Sequence, residues 1–392
     1  MGSAAAKWVA QMSEGKVALV GVQEPENREH GEIFGAWHDK GRITWMLDTN
    51  DCWRLLGEKS LSRYRYIEES SGVSFYQEVG FLSLVDEDFN EKEDLENTVE
   101  ILRQSSYNCD FLDSSNAARK FPYLNISEGK FGYHQPDYSG YINPREMVKA
   151  QKVIAASNGC EMLQEAVKDI TKEDDKYCLL LSSGETIKSE KVVLAIGAYL
   201  NISQLLNNFF KEEVNLTLAT QTVAYLKVPE EEAIRLMKMP SMETTYIKGA
   251  LDGTYILPPI KYPDGKFYLK LGHHDNFEGV VETGEDVLDW YRRGTGVNEA
   301  VTELTDFLQD LIPNLIVEAV SSGCCITSNT VNKDAPYIEE VQQGLYVVAG
   351  GCGYGAKSCD EIGRITAVLV VEGRWDSDIE QHRMNVVWRK KK

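Results

Sequence analysis

Apolar positions along this chain follow two rhythms. Short unbroken runs appear at Lys16 to Gly21, at Lys191 to Gly197 and at Gly344 to Ala349, and each reads as a buried strand. Each run neighbours a helical pattern or a glycine turn. An alanine-rich helix from Ser3 to about Gln11, with Ser3 available as its cap, precedes the first run, and a helix from Glu361 to Glu372 follows the last. Between them the spacing predicts helices over Asp51 to Glu69, Asn90 to Ser105 and Arg145 to Asn158, a strand over Phe75 to Leu84, and a turn at Gly140 to Pro144. Tyr177 to Leu181 and Glu185 to Lys188 read as a hairpin around Ser182-Ser183-Gly184. The stretch Asn215 to His274 is strand-rich, with segments Gln221 to Val228, Thr254 to Leu257 and Phe267 to Gly272, and helices follow at Glu285 to Tyr291 and Asn298 to Leu311. Strand-helix units at the start, middle and end, with antiparallel strands in the gaps, predict a mixed α/β and α+β fold. A discontinuous Rossmann-like domain would carry an inserted domain with a mixed or antiparallel sheet.

Composition narrows the function classes. The 392 residues hold 61 acidic against 41 basic side chains, a net charge of −20, with 43% hydrophobic residues. That is a folded globular chain of about two to three domains' worth. The acidic balance argues against a nucleic-acid partner, because phosphate contacts need positive potential. The basic cluster Arg389-Lys390-Lys391-Lys392 reads as a solvated terminus. No apolar run approaches the roughly 18 residues of a membrane span. The first residues lack the basic-then-apolar layout of a secretion signal. Eight cysteines are too few for a disulfide scaffold, so the expectation is reduced thiols in an intracellular, cytoplasmic protein, with a monomer favoured. The sequons at Asn125, Asn201 and Asn215 are then chance matches.

Several local motifs carry chemistry. Gly2-Ser3-Ala4-Ala5-Ala6 opens a helix; alone it is no more than an alanine-rich surface helix. Ala36-Trp37-His38-Asp39-Lys40-Gly41-Arg42-Ile43-Thr44-Trp45 places Arg42 among aromatics, where a surface ion pair is the plain alternative. In Tyr268-Leu269-Lys270-Leu271-Gly272-His273-His274, alternation puts Lys270 on the face opposite Leu269 and Leu271. An exposed strand lysine and an exposed turn histidine at His274 are the alternatives. Ser322-Gly323-Cys324-Cys325-Ile326-Thr327 pairs two cysteines that would point to opposite sides of an extended strand; buried structural thiols, a vicinal disulfide or metal thiols stay open. Ala349-Gly350-Gly351-Cys352-Gly353-Tyr354-Gly355-Ala356-Lys357 is a glycine-rich loop between strand and helix, or a plain tight turn.

Together with the strand Val192 to Gly197, these motifs resemble the flavin-dependent D-amino-acid oxidase superfamily over nearly the whole chain, with the monomeric sarcosine oxidase group as the nearest likeness. The resemblance implies FAD. It implies a dinucleotide site at Gly2, Ser3 and Gly197, with Gly2 as the third glycine of the motif; the first strand and first two glycines would lie ahead of Met1. Gly21 stands where an acidic residue would bind the ribose, and Glu24 is close enough to substitute. The resemblance places Arg42, Ile43, Gly351, Gly353, Tyr354 and Lys357 at the flavin, and Cys325 at the position of a covalent tether. Lys270, Lys357, His274 and Tyr255 would be the catalytic residues, with Lys270 serving oxygen and His274 in the substrate pocket. Lys357 would meet an anionic substrate group, while Trp45 replaces an arginine of the carboxylate clamp, a contact tryptophan cannot make. The implied activity is oxidation of the C–N bond of a secondary amine or amino acid, with hydride to the flavin and electrons to oxygen to give peroxide. Two alternatives are a non-catalytic relative that no longer holds FAD and a dehydrogenase with another acceptor. The implied organisation is an FAD-binding domain from residues 1–80, 138–214 and 318–380, a substrate domain from 81–137 and 215–317, and a tail from 381–392.

Overall fold

The structure, a computed structural model, describes residues 1–46, 48–86, 92–104, 107–245, 251–274 and 277–391. Its parallel centre joins Val192–Leu194 to Leu345–Ala349 with Val192 opposite Leu345, and Tyr337–Gln342 completes a three-stranded sheet. All five residues of Leu345–Ala349 are buried, as an unbroken apolar run requires. The chain then enters the helix Gly355–Glu372, which begins six residues earlier than its apolar pattern suggested. The helix Gly2–Met12 crosses it so closely that a Cβ on Gly363 would stand 2.6 Å from the Ala4 backbone. The helix Pro144–Ser157 packs beside the first one, capped by Asn143 and opened by a proline.

Some expectations need correction. Ser3 does not cap the first helix; its Oγ donates to Gln151 Oε1 at 2.7 Å. The following strand shrinks to Ala18–Val20 and pairs in parallel with Glu161–Leu163, with Ala18 exposed. The helix expected over residues 51–69 breaks into Asp51–Leu61 and Tyr64–Ser71. The strand expected over 75–84 breaks into Tyr76–Gln77 and Phe81–Asp86, parted at Gly80, whose φ of +84° only glycine adopts freely. Gly140–Ile142 is a strand rather than a turn. The charged helix is Lys92–Gln104; Asn90, Glu91 and Ser105 lie outside the described residues. The basic end is not free: Trp388–Lys390 pairs with Glu212–Val214, and Arg389 binds Glu213 at 2.7 Å.

The second body is a nine-stranded sheet. Its strands lie in the order Val280–Val281, Thr217–Val228, Phe267–His273, Gly253–Lys261, Ser241–Thr245, Phe81–Asp86, Lys130–Gln135 and Asp110–Asp113. Ala319–Asn329 pairs along Thr217–Val228 as well. One face carries Leu84, Leu226, Met242, Ile256, Leu269 and Leu271, packed with Leu304 and Leu308 of the helix Asn298–Leu311. Burying each such leucine contributes about 2 kcal/mol, which fixes the register, because a one-residue slip would turn the whole set to the other side. That leaves the opposite face free to be polar.

Candidate functional site

Residues directly opposite one another in paired strands share a face. Cys325 lies opposite Gln221, Lys270 opposite both Tyr225 and Leu257, and Tyr255 opposite both Gly272 and Glu243. The polar face therefore gathers Cys325, Tyr225, Lys270, Tyr255 and Glu243. Tyr255 lies across Gly272, where a Cβ would come within 2.2 Å of its ring. The segment carrying Gly35 to Trp45 crosses this face, held by the pairing of Arg42–Thr44 with Gly140–Ile142.

Lys270 is fully buried, which removes the exposed-lysine alternative. Its Nζ donates to Asp39 Oδ2 and to the Gly41 carbonyl, each at 2.7 Å. Arg42 bonds the same Asp39 carboxylate, donates to the Ala36 carbonyl at 2.8 Å, and stands 3.8 Å from Cys325 Sγ. Its ion pair is thus built into the site and not on the surface. Tyr262 donates to Asp39 Oδ1 at 3.3 Å. Burial favours the neutral acid, but Lys270 and Arg42 overcome it and hold the Asp39 carboxyl far below the usual range. Burial and then Arg42 bring Lys270 down to about 8, with Asp39 resisting. Two cations share one carboxylate, so the cluster keeps a positive charge.

A second cluster lies at Lys357, in the first turn of the helix Gly355–Glu372 and 1% exposed. Its Nζ donates to Asp48 Oδ2 at 2.8 Å and lies 3.4 Å from the Trp45 ring centroid. Trp45 stacks on Phe81, and Tyr354 stacks on Trp53. Burial pushes Lys357 down and Asp48 up, and each partner's charge opposes the shift. His274, which the resemblance placed in the substrate pocket, has its Nε2 3.2 Å from Glu243 Oε1. Lys357, expected to meet an anionic substrate, thus already has an internal partner.

Where the resemblance implies the dinucleotide, the helix Gly2–Met12 starts with no side chain capping its first-turn N–H groups, and a Cβ on Gly2 would be 3.3 Å from Ala195 Cβ. Gly197 and Gly353 have φ of +57° and +83°, with nothing within 4 Å of where a Cβ would stand. Met1 and Tyr354 pack against the same core clusters, and Met1 Cε would lie 3.7 Å from a Cβ on Gly351, so the two helix starts converge. Uncapped helix N-termini and open glycine backbone suit a pyrophosphate, and the cationic Lys270–Arg42 cluster suits an electron-rich ring, so these residues fit FAD. Two expected contacts look different. Glu24 gives both carboxylate oxygens to Arg145 at 2.6 Å, and the Ser3 hydroxyl is spent on Gln151. Ile43 is half-buried against the core containing Trp45 and Met46. Cys324 points away from Cys325, its Sγ 3.1 Å from the Trp290 carbonyl, and all eight cysteines are free, so there is no vicinal disulfide. Among the described residues no set of three or more His, Cys, Asp or Glu is placed to hold a metal, and no helix is long and apolar enough to cross a membrane.

Asp39, Asp48, Glu243 and Tyr262 were not singled out from the sequence. Asp39 sits inside the motif that carries Arg42, yet only strand register brings Lys270 to it across 231 positions.

Comparison with known proteins bears on the fold and the family. L-saccharopine oxidase of Schizosaccharomyces pombe is 23% identical over 259 residues, which is 60% of this chain and 56% of that protein; the chain matches little more than half of that relative's length. The solved structure of NikD, an unusual amino acid oxidase essential for nikkomycin biosynthesis, superposes with a TM-score of 0.76 at 18% identity over 100% of this chain and 96% of that one. L-proline dehydrogenase from P. horikoshii gives 0.75 at 18% identity over 98% and 93%. These likenesses carry the fold. The model of the family described as FAD dependent oxidoreductase, DAO, matches residues 1–369. The chain belongs to the DAO family of FAD-dependent oxidoreductases.

Proposed function

We propose that this chain oxidises the C–N bond of a secondary amine or amino acid and passes the electrons to oxygen. The observation that carries the reading is the fully buried Lys270 beside Arg42 and Cys325 on one sheet face, with the buried Lys357 nearby. The overall change balances: the amine loses a hydride and a proton to become an imine, and oxygen gains both to become hydrogen peroxide. When bound, FAD supplies the hydride acceptor. Gly2 and Gly197 would line its dinucleotide, and Arg42, Gly351, Gly353 and Tyr354 its ring, with Cys325 positioned as a tether. Lys270 is the fixed cation that stabilises negative charge developing on oxygen in a dry site. Tyr255 and His274 border the space above the sheet where an amine would lie.

The test is to purify the chain, record its visible spectrum, and follow oxygen consumption and peroxide with a panel of secondary amines and N-methyl amino acids. Flavin absorbance with peroxide formation is expected; a colourless protein inactive on every compound overturns the reading. After acid precipitation, colour kept in the pellet supports the Cys325 tether, and colour released wholly to the supernatant removes it. One observation favours a dehydrogenase as the second reading: Asp39 offsets part of the charge on Lys270. Faster turnover with an artificial acceptor than with oxygen would select it.

A further inference from the structure

We infer that the substrate is an amine carrying no carboxylate beside the reacting nitrogen, and that Asp48 is the residue setting this specificity. The inference rests on the C–N oxidation reading and concerns the Lys357 end of the same site. Asp48 and Lys357 are 7% and 1% exposed and meet at 2.8 Å. Wherever the proton sits, the pair has no net charge. Trp45, at the position where the family resemblance implies an arginine, adds an aromatic face and no cation, and Lys357 already lies on that face. A second titratable pair among the described residues here is Glu243 with His274, which sums to zero or to −1. Among the described residues named at this end, none offers net positive charge to a carboxylate. To bind one, Lys357 would have to leave Asp48, and an uncompensated buried carboxylate is the costly outcome of splitting such a pair.

What the site offers instead is neutral polarity. Ser241 is fully buried, its Oγ has no hydrogen-bond partner, and it lies two positions from Glu243 on the same side of its strand. Thr44 is likewise fully buried with an unpartnered Oγ1, two positions from Arg42 along the strand that crosses the sheet face. Orphaned buried hydroxyls, one two positions from Glu243 and the other next in sequence to Trp45, suit an alkyl chain bearing an N–H donor.

The experiment compares N-methylpentylamine with N-methylnorleucine, which differ only by a carboxylate, on the flavin-loaded full chain. Binding of pentylamine and of pentanoate, inert probes of either charge, is read from tryptophan fluorescence. The wild type should favour the carboxylate-free amine in kcat/KM by at least about tenfold and bind pentanoate more weakly than pentylamine by a similar factor. Asp48→Asn frees Lys357 and should reverse both preferences. A wild type that favours the amino acid and pentanoate overturns the inference, as does an Asp48→Asn protein that folds and leaves both ratios unmoved. If Asp48→Asn does not fold, the wild-type ratios alone decide. If neither compound turns over and the wider amine panel is also silent, the oxidation reading fails while the binding ratio still tests the charge argument.

Discussion

Lys270 and Arg42 compete for one carboxylate, and the competition predicts a pH response. Burial and the Arg42 charge pull Lys270 down to about 8, and Asp39 pulls it back toward its ordinary value. If the protonated lysine assists the oxygen step, oxygen-dependent turnover should fall as pH rises through about 8. Asp39→Asn removes the only contribution among these that favours the charged lysine, so the fall should move to lower pH. Lys270→Met should abolish the step in the profile and cost on the order of 10²–10³ in oxygen-dependent rate, the usual effect of deleting a preorganised charge. A pH–rate profile of the three proteins checks this, and a limb moving upward in Asp39→Asn would contradict it. The acidic partner was hidden in the sequence for a plain reason. Asp39 is adjacent to polar residues in a loop, and nothing local marks it as buried.

At the scale of elements, the two helices that start near the proposed dinucleotide cross at Ala4 and Gly363. A side chain at 363 would need the Ala4 backbone to shift, since the contact would be 2.6 Å. Gly363→Leu should therefore destabilise by about 1–3 kcal/mol or more through overpacking, although replacing a helical glycine is otherwise favourable. It should also displace the start of the first helix and weaken FAD retention. Thermal melting and flavin content measure the two effects. The alanines at 4, 5 and 6 were visible as a pattern and were open to reading as a surface helix. They are buried because two other helices need their small size, a fact carried by the partners and not by the segment itself. In the same way, the apolar runs at Val192 and Leu345 were legible as strands. Their parallel pairing across some 150 intervening residues is set by tertiary packing.

For the molecule as a whole, one buried carboxylate joins distant parts of the chain. Asp360 is fully buried and binds Lys7 of the first helix, 2% exposed, and Arg63 at 2.7 Å. Asp360→Ala would strand Lys7 without a counter-charge and should cost about 3–5 kcal/mol, read as a lower urea midpoint. The same change to an exposed acid such as Asp378, whose partner Lys59 is also partly exposed, should cost about 0–1 kcal/mol. The sequence by itself determined the alternation of strand and helix, the glycine-rich loop before Lys357, the opposite facing of Lys270 and its leucine neighbours, and a family resemblance carried by motifs. Those features depend on backbone geometry and residue type over a few positions. Only the tertiary structure decided which charges meet. Asp39 reaches Lys270 and Asp48 takes Lys357, because burial makes an unpaired charge expensive and the packing of distant segments chooses the partner within reach.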